Sequence, residues 1–146
     1  MSIKQIVQCW AGYFTNRQAY QDLIEENPLL WALGEVDDSQ PLNAFVASQG
    51  ETWLDDDWFY AGFNDNTAPL AQRFSAFLGT DDIAQHTAAL IESAAKQRGL
   101  THINALILVA IDTKDNHRQI DSPQSVTTDD FSLCYLGEFD ISSVRH

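Results

Sequence analysis

Apolar and polar positions along the chain predict strands near both ends with helices between them. Residues 3–11 carry Ile3, Ile6, Val7, Cys9 and Trp10, bulk that favours a strand, and Gly12 punctuates it. Thr15-Asn16-Arg17-Gln18 has the form of a capping box, a hydroxyl at the cap and an amide three residues on. Ala19, Tyr20, Leu23 and Ile24 follow at helical spacing, and Asn27-Pro28 stops that helix. Residues 28–42 lose regularity at Gly34 and Pro41 and read as a surface excursion. Residues 42–49 predict a short helix with Phe45 and Val46 inward, ended by Gly50. A short strand through Thr52, Trp53 and Leu54 then runs into Asp55, Asp56 and Asp57.

The second half is more regular. Tyr60, Phe63, Leu70, Phe74, Phe77 and Leu78 are spread over residues 60–79, with Asn64-Asp65-Asn66 as a turn. A long helix follows. Thr80 is its natural cap, Asp81 and Asp82 suit its positive end, and Lys96 and Arg98 suit its negative end before Gly99 stops it. Ile83, Thr87, Leu90, Ile91 and Ala94 form its apolar face. Residues 103–111 are an almost unbroken apolar run, the pattern of a strand covered on both faces. Residues 112–130 read as a long exposed loop, residues 131–139 as a last strand, and the tail from Asp140 as loosely held. The expected architecture is α/β or α+β: a single domain over residues 1–146, with a central mixed sheet of about four or more strands and at least two helices packed on it.

Composition leaves the fold class unchanged. With 146 residues, 45% hydrophobic and 20% charged, the chain is ordinary for one globular domain and long enough to bury roughly two-thirds of its unfolded surface. Charge does change the picture. The formal net charge is −13, which disfavours nucleic acid or an anionic membrane as a direct partner and favours fast association with something basic. Between Arg17 and Arg73 there is no Lys, Arg or His. The same interval holds Asp22, Glu25, Glu26, Glu35, Asp37, Asp38, Glu51, Asp55, Asp56, Asp57 and Asp65. Three adjacent carboxylates repel one another, so a cation, a basic partner or open solvent must lie beside them.

Catalytic and metal chemistry find little support. Asp55 and Asp57 can converge on an extended chain while Asp56 points away, and the spacing is not that of an EF-hand. His86, His102, His117 and His146 form no metal-ligand pair, and no nucleophile-elbow, phosphate-loop or dinucleotide pattern occurs. No cofactor is implied, and the histidines read as structural or incidental. Cys9 and Cys134 lie apart in apolar runs and read as reduced, buried thiols. The N-terminus lacks a signal-peptide pattern and no run reaches transmembrane length, so the expected compartment is cytoplasmic. Recognition remains. Trp53, Trp58, Phe59 and Tyr60 beside the three Asp residues combine the aromatic content of interface centres with charge that steers association; the same aromatics also suit a core.

The chain resembles the immunity protein 22 family of bacterial polymorphic-toxin systems. The resemblance is carried by Val7-Gln8-Cys9-Trp10-Ala11-Gly12-Tyr13-Phe14 with Tyr20, by Phe45 and Trp53-Leu54-Asp55-Asp56-Asp57-Trp58, by Asn104 leading its apolar strand, and by Tyr135-Leu136-Gly137-Glu138-Phe139. Tyr13 stands where the family has a small polar residue, and residues 28–42 and 112–130 carry no inherited assignment. The resemblance implies a non-enzymatic cytoplasmic protein that binds and neutralises a cognate toxin domain, often a nuclease and hence basic where it holds nucleic acid. Asp55, Asp56 and Asp57 would contact that partner, with Trp53, Trp58, Phe59, Glu51 and Asp65 as neighbours. A small carboxylate-dependent metal-binding protein or enzyme and an acidic protein–protein adaptor are the alternatives. The oligomeric state is left open.

Overall fold

The computed structural model describes residues 6–25, 43–51, 59–66, 68–74, 82–111 and 120–140. The excursion expected at 28–42, the strand through Thr52, Trp53 and Leu54, Phe77 and Leu78, the Thr80–Asp81 helix start, the side chain of Ile83 and the tail after Asp140 lie outside them. Five strands make one sheet: β1 (Ile6–Phe14), β2 (Phe59–Phe63), β3 (Ala105–Ile111), β4 (Val126–Thr127) and β5 (Phe131–Asp140), in the order β2-β3-β1-β5-β4. The helices are α1 (Arg17–Ile24), α2 (Ala44–Ser48), α3 (Leu70–Arg73) and α4 (Asp82–Gln97). The molecule is a single small α+β domain.

Every neighbouring pair of strands is antiparallel, where a mixed sheet was expected. Topology supplies the reason. The connection from β1 through α1 and α2 brings β2 back parallel to β1, but one strand away. β3 then fills the gap, running opposite to both.

Side chains alternate between two covered faces. Val7, Cys9 and Ala11 of β1 and Leu106, Leu108 and Ala110 of β3 meet Leu70 and Phe74 from the α3 region and Ala88, Ile91 and Ala95 of α4. Trp10, Phe14, Ala105, Ile107 and Val109 face the other way, onto Leu23, Phe45, Val46 and Ile120. All seven residues of β3 are buried, as the apolar run predicts. Each fully buried Leu, Ile or Val there contributes about 1.5–3 kcal/mol of transfer free energy, so β3 is the apolar centre of the fold.

Local signals explain most element ends, with corrections. The cap of α1 is Asn16, whose side chain accepts from Ala19 N at 2.8 Å; Thr15 is still tied to the sheet, its N–H donating to Asp130 O at 3.0 Å. Gly12 does not end β1, which continues to Phe14. Helices α2 and α4 both close with the paired bonds of a Schellman motif. Gly50 N donates to Ala47 O and Glu51 N to Val46 O, while Gly99 N donates to Lys96 O and Leu100 N to Ala95 O. Gly50 and Gly99 have φ of 79° and 83°, the left-handed conformation that favours glycine. The buried face of α4 runs through Thr87, Ala88, Ile91 and Ala95, whereas Leu90, expected inward, is 46% exposed.

Two stretches of the second half were not foreseen. Strand β2 occupies residues read only as scattered apolar positions. Within 112–130, residues 112–119 lie outside the described residues, but Ile120 is fully buried and β4 pairs with β5. Side-chain amides clip this segment over the Trp10 face. Gln8 Nε2 donates to Ile120 O at 2.9 Å, and Gln49 brackets the Gln124 backbone, donating to its O at 3.0 Å and accepting from its N at 2.6 Å. Trp10 Nε1 donates to the same carbonyl.

Gly12 sits where β1 is most crowded. A Cβ there would lie 2.9 Å from Phe14 Cε1 and 3.0 Å from Leu133 Cδ1, and both side chains are buried. Gly12→Ala is expected to destabilise the protein by about 1–3 kcal/mol through overpacking, seen as a lower urea midpoint with an unchanged slope.

Candidate functional site

Of the residues expected to contact a partner, Asp55, Asp56, Asp57, Trp53 and Trp58 lie outside the described residues. Their flanks are described. Glu51 is half-buried, its N–H held by Val46 O at the end of α2. Phe59 opens β2 and turns its ring toward the core, 5.8 Å from Phe45. The 52–58 segment therefore leaves a capped helix and enters β2, which pairs with β3 at one edge of the sheet. Asp65 lies six residues beyond Phe59, past the far end of β2, up to roughly 20 Å away at strand rise. Of the expected residues that are described, Phe59 and Asp65 stand at opposite ends of β2.

Asp65 instead belongs to a second group, assembled by the sheet. His102 Nε2 lies 3.1 Å from Asp65 Oδ1, and Asn104 Nδ2 donates to the same oxygen at 3.2 Å. The His102 ring packs edge-on against Tyr13, centroids 5.6 Å apart. Tyr13, His102 and Asp65 are all exposed, while Asn104 is fully buried. The hydrogen bond from His102, then that from Asn104, hold the Asp65 carboxyl below the usual carboxylate range; partial desolvation opposes them, and the charges of His102 and Arg73 add to them.

Around this group the charge pattern inverts. Arg73, Lys96, Arg98 and His102 surround the connection between α4 and β3. One cleft of about 750 Å³ lies between α3, α4 and residues 100–103, with Arg73, Glu92, Lys96 and His102 on its walls. Arg73 is committed to structure there, donating to Ala68 O, Asn64 O and Ile103 O at 2.8, 2.7 and 2.6 Å. A second cleft of about 490 Å³ opens on the other side of His102, between Tyr13, Arg98, Thr101 and Ser132.

No group of three or more His, Cys, Asp or Glu residues suited to a metal ion occurs among the described residues. Cys9 and Cys134 are free; they share one face of the β1–β5 pair, and Cys134 is half-buried where full burial was expected. Burial pushes the Cys9 thiol far up, so it stays protonated and unreactive. No described helix is long and apolar enough to cross a membrane. His86 is exposed on α4. His102, read as incidental, is the histidine that sequence reasoning undervalued. Its partners lie 37 and 89 positions away, and only the β1–β3 register brings Tyr13 to it. Compared with known protein families, curated proteins and solved structures, the chain matches none.

Because the Asp65 carboxyl is depressed in the folded state, its stabilising contribution is complete above the ordinary carboxylate range and is lost as the pH falls through the folded value. Asp65→Asn is therefore expected to lower the urea midpoint at neutral pH. The gap from wild type should close in strong acid. An equal gap at both pH values would show that the loss is not electrostatic.

Proposed function

We propose that the protein is a non-enzymatic immunity protein that binds and neutralises a basic toxin domain. The observation that carries this reading is the one-sided charge, eleven carboxylates and no cation between Arg17 and Arg73 on a chain of net charge −13. A field of that sign speeds encounter with a basic surface and repels nucleic acid, so it suits a protein that masks a nuclease rather than one that competes for its substrate. The resemblance to the immunity protein 22 family points the same way, and the antiparallel sheet with helices on both faces is compatible with it.

The geometry bears on where contact would occur. Helices and the 120–124 clip cover both faces of the sheet, which leaves edges and connections for recognition. The Asp55-Asp56-Asp57 run lies in the connection between α2 and β2, an edge strand, with both ends of that connection anchored in structure. Phe59, with its ring toward the core, serves this reading as a support; the proposed contacts are Asp55, Asp56 and Asp57, with Trp53, Trp58, Glu51 and Asp65 as neighbours.

The test is titration of a candidate basic toxin domain with the wild type and with Asp55→Asn, Asp56→Asn and Asp57→Asn at rising salt. A carboxylate fully desolvated against a partner cation should cost about 2–5 kcal/mol when neutralised, whereas one at the rim should change mainly the association rate and its salt dependence. Wild-type binding by all three variants at low salt would remove these residues from the interface. Calorimetry with calcium, magnesium and manganese checks the rival metal-binding reading, which requires saturable binding lost in Asp55→Asn and Asp57→Asn.

A further inference from the structure

The cleft beside Tyr13 has a chemistry opposite to that of the whole chain. Arg98, His102 and the hydroxyl-bearing Tyr13, Thr101 and Ser132 line it, together with Leu100 and Cys134. No Asp or Glu is among its described lining residues. On a chain with 21 acidic residues against 8 Lys and Arg, this cleft pairs Arg98 with His102 and has no described carboxylate on its wall.

Helix electrostatics account for only part of it. Lys96 and Arg98 suit the negative end of α4, and Arg98 Nη1 donates to Ala94 O at 3.1 Å. Ala95 O accepts from Arg98 N and Leu100 N, and Lys96 O from Gly99 N. The helix end is therefore closed by its own backbone, and most of the Arg98 fork has no acceptor among the described residues. Nor does the helix explain why Tyr13 of β1, Thr101 and His102 of the α4–β3 connection and Ser132 of β5 meet at the same place. The Asp65 carboxylate, 3.1 Å from His102 Nε2, fixes the imidazole ring, and Nδ1 donates to an anion when both ring nitrogens carry a proton.

We propose that this cleft binds an oxyanion, a phosphate or a carboxylate, carried on a small apolar body. Arg98 takes the charge, joined by His102 when its ring is doubly protonated, the hydroxyls complete its hydrogen bonds, and the body lies against Tyr13 and Leu100. A volume of about 490 Å³ is within the range of small-ligand clefts, roughly 300–1,000 Å³. The neighbouring 750 Å³ cleft is a poorer anion site, since Glu92 lies on its wall and Arg73 is already bonded to three carbonyls. This inference does not rest on the toxin reading.

The experiment is an amide NMR titration of the full chain with phenyl phosphate and, separately, benzoate, at constant ionic strength held with sodium chloride. The expected result is saturable shifts centred on Tyr13, Gly99, Thr101, His102 and Ser132, with a dissociation constant on the order of 1 mM or below. The probe that saturates at lower concentration identifies phosphate or carboxylate as the preferred head. Arg98→Gln and His102→Gln should each weaken binding about tenfold, the loss of one charge-assisted hydrogen bond. Lys96→Gln, in the neighbouring cleft, should change it less than about twofold. Arg98 is exposed, so its variant keeps the fold, and an unchanged spectrum elsewhere verifies this. Shifts that fail to saturate, that chloride reproduces, or that survive both Arg98→Gln and His102→Gln overturn the proposal.

Discussion

The fold depends on a backbone ladder that runs out before the strands finish converging, and the buried carboxamide of Asn104 completes it. Its Oδ1 accepts from Phe14 N and its Nδ2 donates to Phe14 O, both at 2.8 Å, so the side chain pairs with the end of β1 as another strand residue would. Its own N–H donates to Gly12 O, and its carbonyl accepts from Asn64 N beyond the end of β2. One residue thus joins the ends of β1 and β2 to the start of β3. Each buried polar group left unpaired costs about 1–3 kcal/mol, and Asn104 prevents this at two groups of Phe14 while placing Asp65 with the same amide. The site around His102 inherits its geometry from this junction.

The same solution recurs on the opposite face. Gln49 pairs with both backbone groups of Gln124, and Gln8 and Trp10 donate to carbonyls of residues 120 and 124. No strand among the described residues pairs with this segment, so side-chain amides and an indole satisfy the backbone and hold Ile120 over the core. Sheet continuity is absorbed elsewhere by a bulge. The β1–β5 register shifts between Cys9 and Trp10, opposite Leu136 and Gly137, and Gly137 takes a φ of 118° that a side chain would disfavour. The extra residue lets Leu136 and Phe139 both meet the α4 face.

These devices explain which parts of the molecule were legible in the sequence. β3, α4, α2 and β5 are set by short-range patterns, unbroken apolar residues or helical spacing closed by glycine, and the structure has them where those patterns lie. Strand β2 was missed because Phe59–Phe63 contains Ala61 and Gly62 and shows no alternation; pairing with β3 makes it a strand. Leu90 was misassigned because the apolar face of α4 is completed by Ala88 and Ala95, small residues that let the helix approach the sheet. The antiparallel order follows from β3 entering between two parallel strands, and no local pattern carries that information.

The candidate site divides along the same line. The acidic run at residues 55–57 is visible because its partners are its neighbours in sequence, and its charge needs no fold to be noticed. Asp65, His102 and Tyr13 are unremarkable where they stand in the chain and acquire meaning only when β1 and β3 align. Carboxylates are spread over both halves of the chain, whereas Arg73, Lys96, Arg98 and His102 gather around one connection, with Asp65 among them. Over a Debye length of about 8 Å at physiological salt, an exposed group feels its near neighbours more than the overall charge of −13. What the cleft beside Tyr13 can hold is therefore set by Arg98 and His102 on its wall, and by the Asp65 carboxylate 3.1 Å from that imidazole, more than by the total.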